Sequence, residues 1–411
     1  MLIIYLISSI FLSLCDAHRI LVVFSIPGKS HAILGEALVQ HLLDAGHEVT
    51  YITPILMKSG SSRLKQIDIS ENMKYFSKDF FDLNNLMNNE FDLQNHLAVL
   101  EIFDYLFYKT LETDAVQNFI NDPKEEYDLA IVEWLFVEYN AGFSSVFNCP
   151  FIWFSSMSLN SFVTSLVDEN LNPSYTGHFL SKEYSFSFFD RVSYLYSLIR
   201  TQLYNWLNTE EHNKKFKNLF QSAVNKRGRS LPHYNNVKYN ASLILGDSDV
   251  VTSYNVAVPQ NYKHIGGYHI KRTVDKLPQN LQEIMDNSTE GVIYFSLGTL
   301  VRVHKMSEKI KKDLLNLFSE LKQTVIWKLD HVIPNLPKNV HVVTWAPQHS
   351  VLNHPNCILF ITHGGLLSTF ETLNFGVPII GMPFYADQFF NINRAVQQGY
   401  GRRVDFNENV H

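Results

Sequence analysis

The chain has 411 residues, of which 46% are hydrophobic and 18% are charged, and its formal net charge is -6 at pH 7. This composition supports sizeable hydrophobic cores and two domains rather than one, and the acidic balance gives no support to a nucleic-acid partner. The three cysteines, Cys15, Cys149 and Cys357, exclude a disulfide framework.

The first predicted element is an apolar block at residues 2–14, LIIYLISSIFLSL, which is followed by small residues. Such a block is typical of a secretory signal peptide and is too short to span a membrane. We therefore predict a leader at residues 1–17, with a buried N-terminal strand as the alternative. The sequons at Asn240 and Asn287 are compatible with a glycoprotein of the endoplasmic reticulum. We expect the chain in the secretory pathway.

Residues 18–270 are predicted to form a Rossmann-like domain, because strand and helix patterns alternate along them. Strands are predicted at residues 19–26, 47–53, 127–133, 151–155 and 242–245, with a further strand around Val250. A loop at residues 27–31 and a helix at residues 32–45 follow the first strand. Residues 175–229 are predicted to be helical. Their many aromatic side chains either pack these helices or form an apolar acceptor pocket or a membrane-facing patch.

His31 is the best catalytic candidate in this first domain. It follows the first strand closely, so we expect its imidazole at the C-terminal edge of the sheet, where open α/β folds bind ligands. Imidazole titrates near neutral pH, and a positioned general base contributes roughly 10²–10⁴-fold to a rate. A loop histidine is more often structural than catalytic, so its position alone does not assign His31 a role.

A polar segment at residues 271–290 is predicted to link this domain to a second Rossmann-like domain at residues 291–411. In the second domain, strands are predicted at residues 291–297, 324–329, 340–344, 357–362 and 378–381, and helices at residues 308–321 and from Leu366 onward. The two halves share one architecture, and the sequence has no short-period repeat.

A glycine turn follows the strand at residues 357–362. The strand leads into His363, Gly364 and Gly365, and a helical pattern begins near Leu366. A strand that enters a helix through glycines presents free backbone N–H groups, and the helix N-terminus carries about half a positive elementary charge. These features predict a phosphate-binding site beside His363.

Other side chains near this turn supply what a sugar nucleotide needs besides phosphate contacts. Trp345 offers a flat face to a base, and Glu371, on the helix after the glycines, offers a carboxylate to the ribose hydroxyls. Asp387 and Gln388 follow a strand at the ligand-binding edge of the predicted sheet. Together these residues predict a nucleotide-sugar site.

The run from Trp345 to Gln388, WAPQHSVLNHPNCILFITHGGLLSTFETLNFGVPIIGMPFYADQ, resembles the signature of the UDP-glycosyltransferase family. This family includes the UDP-glucuronosyl- and UDP-glucosyltransferases that conjugate small lipophilic molecules, as in detoxification. The likeness covers nearly all 411 residues and is nearer to invertebrate-type members. It implies the α/β fold called GT-B, in which two facing Rossmann-like domains with parallel sheets enclose an interdomain cleft.

The resemblance also implies roles by position. Trp345 would stack on uracil, Gln348 would contact the uridine, His363, Gly364 and Gly365 would hold the diphosphate, Glu371 would bind the ribose, and Asp387 and Gln388 would bind the transferred sugar. Ser296 and Gly298 match a second loop on the phosphate side. Many members have an amide side chain where this chain has Leu367, and Ser368 is the candidate substitute.

The resemblance implies an inverting single displacement, in which His31 takes the proton of the acceptor hydroxyl. A carboxylate that orients the imidazole would support this base, and the family places an aspartate at the end of a later strand for this role. The matching residue here is Glu133, and Asp128 is the alternative if the register differs. The glycine turn would meet the charge that grows on the departing diphosphate.

The expected co-substrates are UDP-glucose or UDP-glucuronic acid and a small lipophilic acceptor with a hydroxyl group. UDP-glucose is preferred because of the invertebrate likeness. This mechanism requires no metal ion, and the sequence offers neither an acid-rich D-x-D arrangement nor a convincing metal-ligand spacing of His and Cys. Membrane association and a homo-oligomer are both compatible with the sequence.

Other classes explain less of the sequence. A nicotinamide-dependent oxidoreductase would need G-x-G-x-x-G after the first strand, and Gly28 and Gly35 have the wrong spacing. A sugar-nucleotide epimerase would also bind a diphosphate, but it would not explain the whole run from Trp345 to Gln388. The stronger rival is a non-catalytic or poorly active UDP-sugar-binding protein, because family members continue past the position of His411 through further helices, and some then carry a membrane anchor. Such a product would be luminal or secreted.

Overall fold

The computed structural model describes residues 17–76, 96–167, 187–253, 258–298, 308–329, 331 and 333–405. The predicted leader lies outside these described residues, apart from its last position. Within them, thirteen strands and thirteen α-helices are numbered here in chain order.

The strands are β1 Arg19–Val23, β2 Glu48–Thr53, β3 Leu64–Asp68, β4 Leu129–Trp134, β5 Phe151–Ser155, β6 Leu243–Gly246, β7 Tyr262–His264, β8 Val292–Ser296, β9 Thr324–Lys328, β10 Val340–Val343, β11 Cys357–Thr362, β12 Ile379–Gly381 and β13 Gly401–Arg403. The helices are α1 Lys29–Asp44, α2 His96–Leu111, α3 Asp114–Asn121, α4 Gly142–Phe147, α5 Ser161–Thr164, α6 Phe188–Leu207, α7 Thr209–Lys226, α8 Tyr234–Lys238, α9 Gln279–Asp286, α10 Glu308–Ser319, α11 Gln348–Leu352, α12 Leu366–Phe375 and α13 Gln388–Gln397.

The first sheet has the strand order β3-β2-β1-β4-β5-β6-β7. Strand β1 pairs in parallel with both β2 and β4, and β2 with β3 and β4 with β5 are parallel pairs as well. The apolar runs of β1, β4 and β5 are buried almost throughout, as expected of parallel strands covered on both faces. The chain order reverses between β1 and β4, so the C-terminal ends of these strands form the switch point at which such sheets bind ligands.

The second sheet has the strand order β10-β9-β8-β11-β12-β13, and all five pairings are parallel. Its switch point lies between β8 and β11. Successive residues of β8 face opposite sides of the sheet: Tyr294 stacks on Phe360 on one side, and Phe295 stacks on Trp327 on the other. Each pair belongs to a buried hydrophobic cluster.

The chain divides into two compact units. The first lies within residues 1–75, 103–156 and 205–245, and the second within residues 76–102, 157–204 and 246–411. Strands β1 to β5 belong to the first unit, and β8 to β13 belong to the second. The segment predicted as a linker contains α9, whose Leu281 and Met285 are buried in the same cluster as Tyr294.

Two local predictions were wrong. The loop expected at residues 27–31 is shorter, because Gly28 has extended backbone angles and α1 begins at Lys29, so His31 lies in the first helical turn. The strand expected around Val250 is a turn instead, because the side chain of Asp249 accepts a hydrogen bond from the backbone N–H of Val251 at 2.7 Å. A short polar side chain that bonds its own backbone in this way favours a turn over a strand.

Candidate functional site

His31 and Glu133 form a close pair near the C-terminal ends of β1 and β4. The Nδ1 of His31 lies 2.5 Å from Oε1 of Glu133, and the carboxylate has no exposed surface, whereas 17% of the imidazole side chain is exposed. When Nδ1–H donates a hydrogen bond to the carboxylate, Nε2 is the acceptor atom of the neutral ring. The contact therefore selects the tautomer in which Nε2 can take a proton.

Backbone and amide groups hold Glu133 in place. The backbone N–H of Ser25 donates to its Oε2 at 3.2 Å, and the Nδ2 of Asn140 donates to its main-chain carbonyl at 2.9 Å. Asp128, the alternative partner, lies before the first residue of β4, and its side chain is 57% exposed. The structure thus brings Glu133, and not Asp128, against His31.

The two predicted phosphate-side turns follow the neighbouring strands β8 and β11. Gly298 and Gly364 have φ angles of +81° and +80°, which residues with a Cβ rarely adopt. The backbone N–H of Gly364 donates to Oγ1 of Thr362 at 3.2 Å, and the N–H of Gly298 lies 3.4 Å from Oγ of Ser296. Helix α12 begins directly after the second turn, and its first N–H groups have no partner within the helix.

His363 packs between these turns. A Cβ added to Gly298 would lie 2.6 Å from Cε1 of the imidazole, and one added to Gly365 would lie 2.5 Å from its Nε2. Burial and the nearby charge of Lys328 lower the pKa of His363 to about 4. The ring is therefore neutral at pH 7, and it offers a diphosphate no positive charge.

Three of the predicted nucleotide-binding residues contact one another. The Nε2 of Gln348 donates to Oγ of Ser368 at 3.1 Å and to Oε2 of Glu371 at 2.5 Å. The hydroxyl of Tyr294 donates to Oε1 of Gln348 at 3.3 Å. This network joins the starts of α11 and α12 and orients the carboxylate of Glu371.

Two histidines that the sequence did not single out lie beside Glu371. Its Oε1 is 2.9 Å from Nε2 of His349 and 3.5 Å from Nε2 of His269. Burial alone would raise the pKa of Glu371, but the neighbouring imidazoles of His269 and His349 and the amide of Gln348 outweigh it and lower the pKa to about 2. His349 adjoins Gln348 in the sequence and could have been noticed there, whereas His269 lies in a segment without a motif.

Trp345 keeps half of its surface exposed, as a face for base stacking requires. The Nζ of Lys328 lies 5.2 Å from its ring centroid and donates to the carbonyl of Gly298 at 2.8 Å. Lys328 was not predicted, although a cation at the C-terminal end of a parallel strand was a usable signal. It brings to the phosphate-side turn the positive charge that His363 lacks.

Gln388 is the first residue of helix α13, and Asp387 is the N-cap residue before it. The Nδ2 of Asn391 donates to Oδ2 of Asp387 at 2.8 Å and to the carbonyl of Gly364 at 2.9 Å, so Asp387 is tied to the glycine turn. Burial raises the pKa of Asp387 to about 6. The Oε1 of Gln388 accepts hydrogen bonds from two backbone N–H groups of the preceding turn, so this side chain shapes that turn.

Asp247 is a second carboxylate near Asp387. It directly follows β6, has no exposed surface, and neither of its carboxylate oxygens makes a hydrogen bond within the described residues. Burial, and next the charge of Asp387, raise the pKa of Asp247 to about 8. A buried carboxyl without a donor is costly, and this residue was missed because no motif surrounds it.

The contacts of the predicted residues form two groups, one in each unit. The first is the pair His31 and Glu133. The second comprises the residues around the glycine turn: Ser296, Gly298, Trp345, Gln348, His363, Gly364, Gly365, Ser368, Glu371, Asp387 and Gln388. Lys328, His349, His269 and Asp247 add to the second group.

The sequence matches the family model described as UDP-glucoronosyl and UDP-glucosyl transferase over residues 20–410. UDP-glycosyltransferase UGT5 of Dactylopius coccus is 29% identical over 97% of this chain and 75% of its own length. The ecdysteroid UDP-glucosyltransferase of Mamestra brassicae nuclear polyhedrosis virus is 26% identical over 97% of this chain and 78% of its own.

Solved structures of glycosyltransferases share the fold. The glycotransferase of kitacinnamycin aligns with a TM-score of 0.58 at 17% identity, covering 95% of this chain and 86% of that one. Arabidopsis thaliana UGT89C1 complexed with UDP-L-rhamnose gives the same TM-score and coverage at 16% identity. The predicted GT-B fold class is thereby confirmed.

Proposed function

The chain belongs to the UDP-glucoronosyl and UDP-glucosyl transferase family and is a UDP-glycosyltransferase, and from this premise we propose that it transfers glucose from UDP-glucose to a hydroxyl group of a small lipophilic acceptor, with His31 as general base. The observation that carries this proposal is the contact between His31 and the buried carboxylate of Glu133. Such a pair has the geometry of a base held by an orienting acid.

In the proposed reaction, Nε2 of His31 takes the proton of the acceptor hydroxyl. The acceptor oxygen forms a bond to the anomeric carbon of the sugar while the bond from that carbon to the diphosphate oxygen breaks, so the configuration inverts. Glu133 stabilises the imidazolium, because its buried carboxylate lies against Nδ1. The acceptor proton ends on His31, and UDP leaves with the bonding electron pair.

The leaving diphosphate gains negative charge during this step. Backbone N–H groups of the turn at residues 363–365 and the start of α12 supply fixed dipoles for it. Lys328, whose Nζ bonds the carbonyl of Gly298, supplies a full positive charge. The mechanism thus draws on the helix start and a lysine, and His363 contributes as a neutral spacer between the turns.

The nucleoside is proposed to bind along the same group of residues. Uracil stacks on the half-exposed face of Trp345, and the ribose hydroxyls donate to Glu371. That carboxylate stays ionised across the physiological range, because its pKa lies near 2. The amide of Gln348 donates a hydrogen bond to Oε2 of Glu371, while Oε1 of Glu371 faces His349 and His269.

Glucose is favoured over glucuronic acid by charge. We place the sugar beside Asp387, which lies next to the glycine turn through Asn391, and Asp247 adds a second carboxyl whose pKa is raised by that neighbour. Both carboxyl groups can accept hydrogen bonds from neutral sugar hydroxyls, and Asp387, which is ionised at neutral pH, repels a uronate. The names of relatives agree, since UDP-glucosyltransferase 2 of Dactylopius coccus is 29% identical over 97% of this chain.

The test is a donor and acceptor panel with the full chain. UDP-glucose and UDP-glucuronic acid would each be paired with a phenol, a flavonoid and an ecdysteroid, and product would be measured by mass spectrometry. We expect glucosides from the wild type, and none from His31→Ala, which should bind UDP as tightly as the wild type by calorimetry. Glu371→Ala should lose UDP binding.

The matched control is His41→Ala, since His41 is an exposed histidine on the same helix, α1. It should keep full activity. Product from His31→Ala at the wild-type rate would exclude His31 as the base. UDP binding without product from any acceptor would favour a binding protein over an enzyme.

A location in the secretory pathway is also proposed. Both sequon asparagines, Asn240 and Asn287, are exposed, so a glycosidase-sensitive mobility shift of the protein expressed in animal cells would support it, and unmodified asparagines would count against it. No helix among the described residues is long and apolar enough to cross a membrane.

Self-association of the chain stays a prediction. Peripheral contact with a membrane is proposed through α6. This helix exposes 79% of Phe189 and 72% of Trp206. We expect the full chain to sediment with phosphatidylcholine vesicles, and the double variant Phe189→Ser, Trp206→Ser to remain in the supernatant. Equal sedimentation of both proteins would exclude this surface.

A further inference from the structure

His269, His349 and Glu371 converge within the second unit from three separate elements. His269 follows β7, His349 lies on α11 and Glu371 lies on α12. One ligand atom from each residue can be chosen so that all three lie within 4.8 Å of one another. The Nε2 of His349 is 2.9 Å and the Nε2 of His269 is 3.5 Å from the same carboxylate oxygen, Oε1.

His269 gives this cluster an unused ligand atom. Its side chain has no exposed surface, and neither ring nitrogen makes a hydrogen bond within the described residues. A buried polar group without a partner is unfavourable. A ligand that accepts electron pairs from Nε2 of both histidines would give Nε2 of His269 a partner without moving the side chain to solvent.

The donor set matches one class of ligand. Two imidazole nitrogens and one carboxylate oxygen are the protein ligands of open zinc sites, and the fourth position is then free for water or substrate. Metal bonds of about 2 Å need ligand atoms roughly 3 Å apart. The two contacts with Oε1 of Glu371, at 2.9 and 3.5 Å, are already near that spacing, and a pair of ligand atoms at the 4.8 Å limit would have to close by about 2 Å. Gln348, which holds the other oxygen of Glu371 at 2.5 Å, orients the carboxylate as supporting residues of metal sites do.

We propose that His269, His349 and Glu371 bind a divalent ion of the zinc class, and that the bound ion inhibits the enzyme by occupying the carboxylate needed by the ribose of the sugar nucleotide. The metal-binding part stands on the geometry alone. The inhibition part rests on the proposed function. Mg²⁺ and Ca²⁺ prefer oxygen ligands, so they should neither bind this cluster nor inhibit through it.

Cobalt(II) is the probe for metal binding, because a tetrahedral site with nitrogen ligands gives it visible absorption bands. The full chain, freed of metal by chelation, is expected to bind one equivalent of Co²⁺ with such bands, and Zn²⁺ should displace it. His349→Gln and His269→Gln should each weaken binding by at least about 10-fold.

The control for metal binding is His354→Gln. His354 also lies beside a carboxylate, with its Nε2 3.0 Å from Oδ1 of Asp286, but it is outside the cluster. Circular dichroism would establish that each variant is folded, and His349 is the safer substitution because 24% of its side chain is exposed. The proposal would be overturned if the wild type showed no such bands. It would also be overturned if the bands were lost in His354→Gln but retained in both cluster variants.

Calorimetry with UDP tests the inhibition. Zn²⁺ should weaken UDP binding by the wild type, a chelator should restore it, and His349→Gln should bind UDP with little response to Zn²⁺. Complexes of Zn²⁺ with UDP in solution affect both proteins equally and so cancel in the comparison. If UDP does not bind at all, the proposed function fails while the cobalt spectrum still decides the metal site. If Zn²⁺ binds and UDP affinity is unchanged, the inhibition part is wrong.

Discussion

The Nδ1 of His31 lies 2.5 Å from Oε1 of Glu133, a carboxylate with no exposed surface. The two residues come from α1 and β4, and they meet because β1 and β4 are neighbours in the first sheet. A hydrogen bond from an imidazole N–H to a charged carboxylate is stronger than one between neutral groups. The catalytic proposal therefore depends on the charge of Glu133 as well as on His31.

Replacing Glu133 with Gln should lower kcat by about 10²-fold or more while leaving UDP affinity unchanged. Glutamine keeps the volume but removes the charge that stabilises the imidazolium. Steady-state kinetics with UDP-glucose and a phenol would measure the loss, and calorimetry would measure UDP binding. Asp128→Asn is the matched control, since Asp128 was the other candidate partner. An equal loss in both variants would show that the contact with His31 is not the cause.

Gly298→Ala should weaken UDP binding by about tenfold or more. The positive φ of Gly298 costs a residue with a Cβ about 1–2 kcal/mol, and the added Cβ would also meet His363 at 2.6 Å, so the turn must shift. Gly399→Ala is the control, because Gly399 has a φ of +88° and no atom within 4 Å of its built Cβ. Both variants should unfold at lower denaturant concentration, but only Gly298→Ala should lose UDP. Equal UDP affinities would contradict this.

The two architectures could be read from the sequence because apolar runs form the central strands. The strands at residues 151–155 and 357–362 were predicted with the bounds that the structure has, since both runs are short, apolar and flanked by turn residues. The start of α12 at Leu366 was marked by the glycines before it. The shorter loop before His31 was missed, because whether Gly28 ends the loop or caps the helix depends on its backbone angles.

Contacts between distant segments could not be predicted. His269 lies against Glu371, and the charge of Asp387 raises the pKa of Asp247, although no pattern links these positions in the chain. Such pairs depend on strand order and on the path of the loops. Glu133 was predicted only through the family likeness, and its contact with His31 required the parallel pairing of β1 with β4.

The stability of the protein should fall as the pH drops from about 6.5 to about 4, because His363 takes up a proton more readily in the unfolded state. Its pKa is about 4 in the folded chain and 6.5 in an unfolded one, so the unfolded state binds a proton first and is favoured in this window. The contribution amounts to about 3 kcal/mol when complete. The difference in unfolding free energy between wild type and His363→Gln, measured by urea at several pH values, should change by that amount.

The control for this pH effect is His41→Gln, because His41 is exposed. Its curve of unfolding free energy against pH should run parallel to that of the wild type. Other groups titrate in the same window, but they do so in all three proteins and cancel in the differences. A curve for His363→Gln that is also parallel to the wild type would mean that this imidazole is not held neutral.

Asp247→Asn should reduce the preference for UDP-glucose over UDP-glucuronic acid, measured as the ratio of the two kcat/KM values. In the wild type, Asp387 is mostly ionised above pH 6 and Asp247 becomes ionised above about pH 8, so the ratio should rise between pH 7 and pH 9 as the second charge appears. Asparagine cannot ionise, so the ratio of the variant should be nearly flat and lower than that of the wild type at pH 9.

Binding of UDP alone separates this effect from damage to the site, because UDP has no sugar to meet Asp247. Its affinity should be equal in wild type and Asp247→Asn. Asp249→Asn is the control, since Asp249 lies two residues further on and bonds the backbone of Val251 instead; its ratio should rise with pH as in the wild type. A donor ratio that is unaffected by Asp247→Asn at pH 9 would remove Asp247 from the sugar site and leave Asp387 as the electrostatic basis for the choice of glucose.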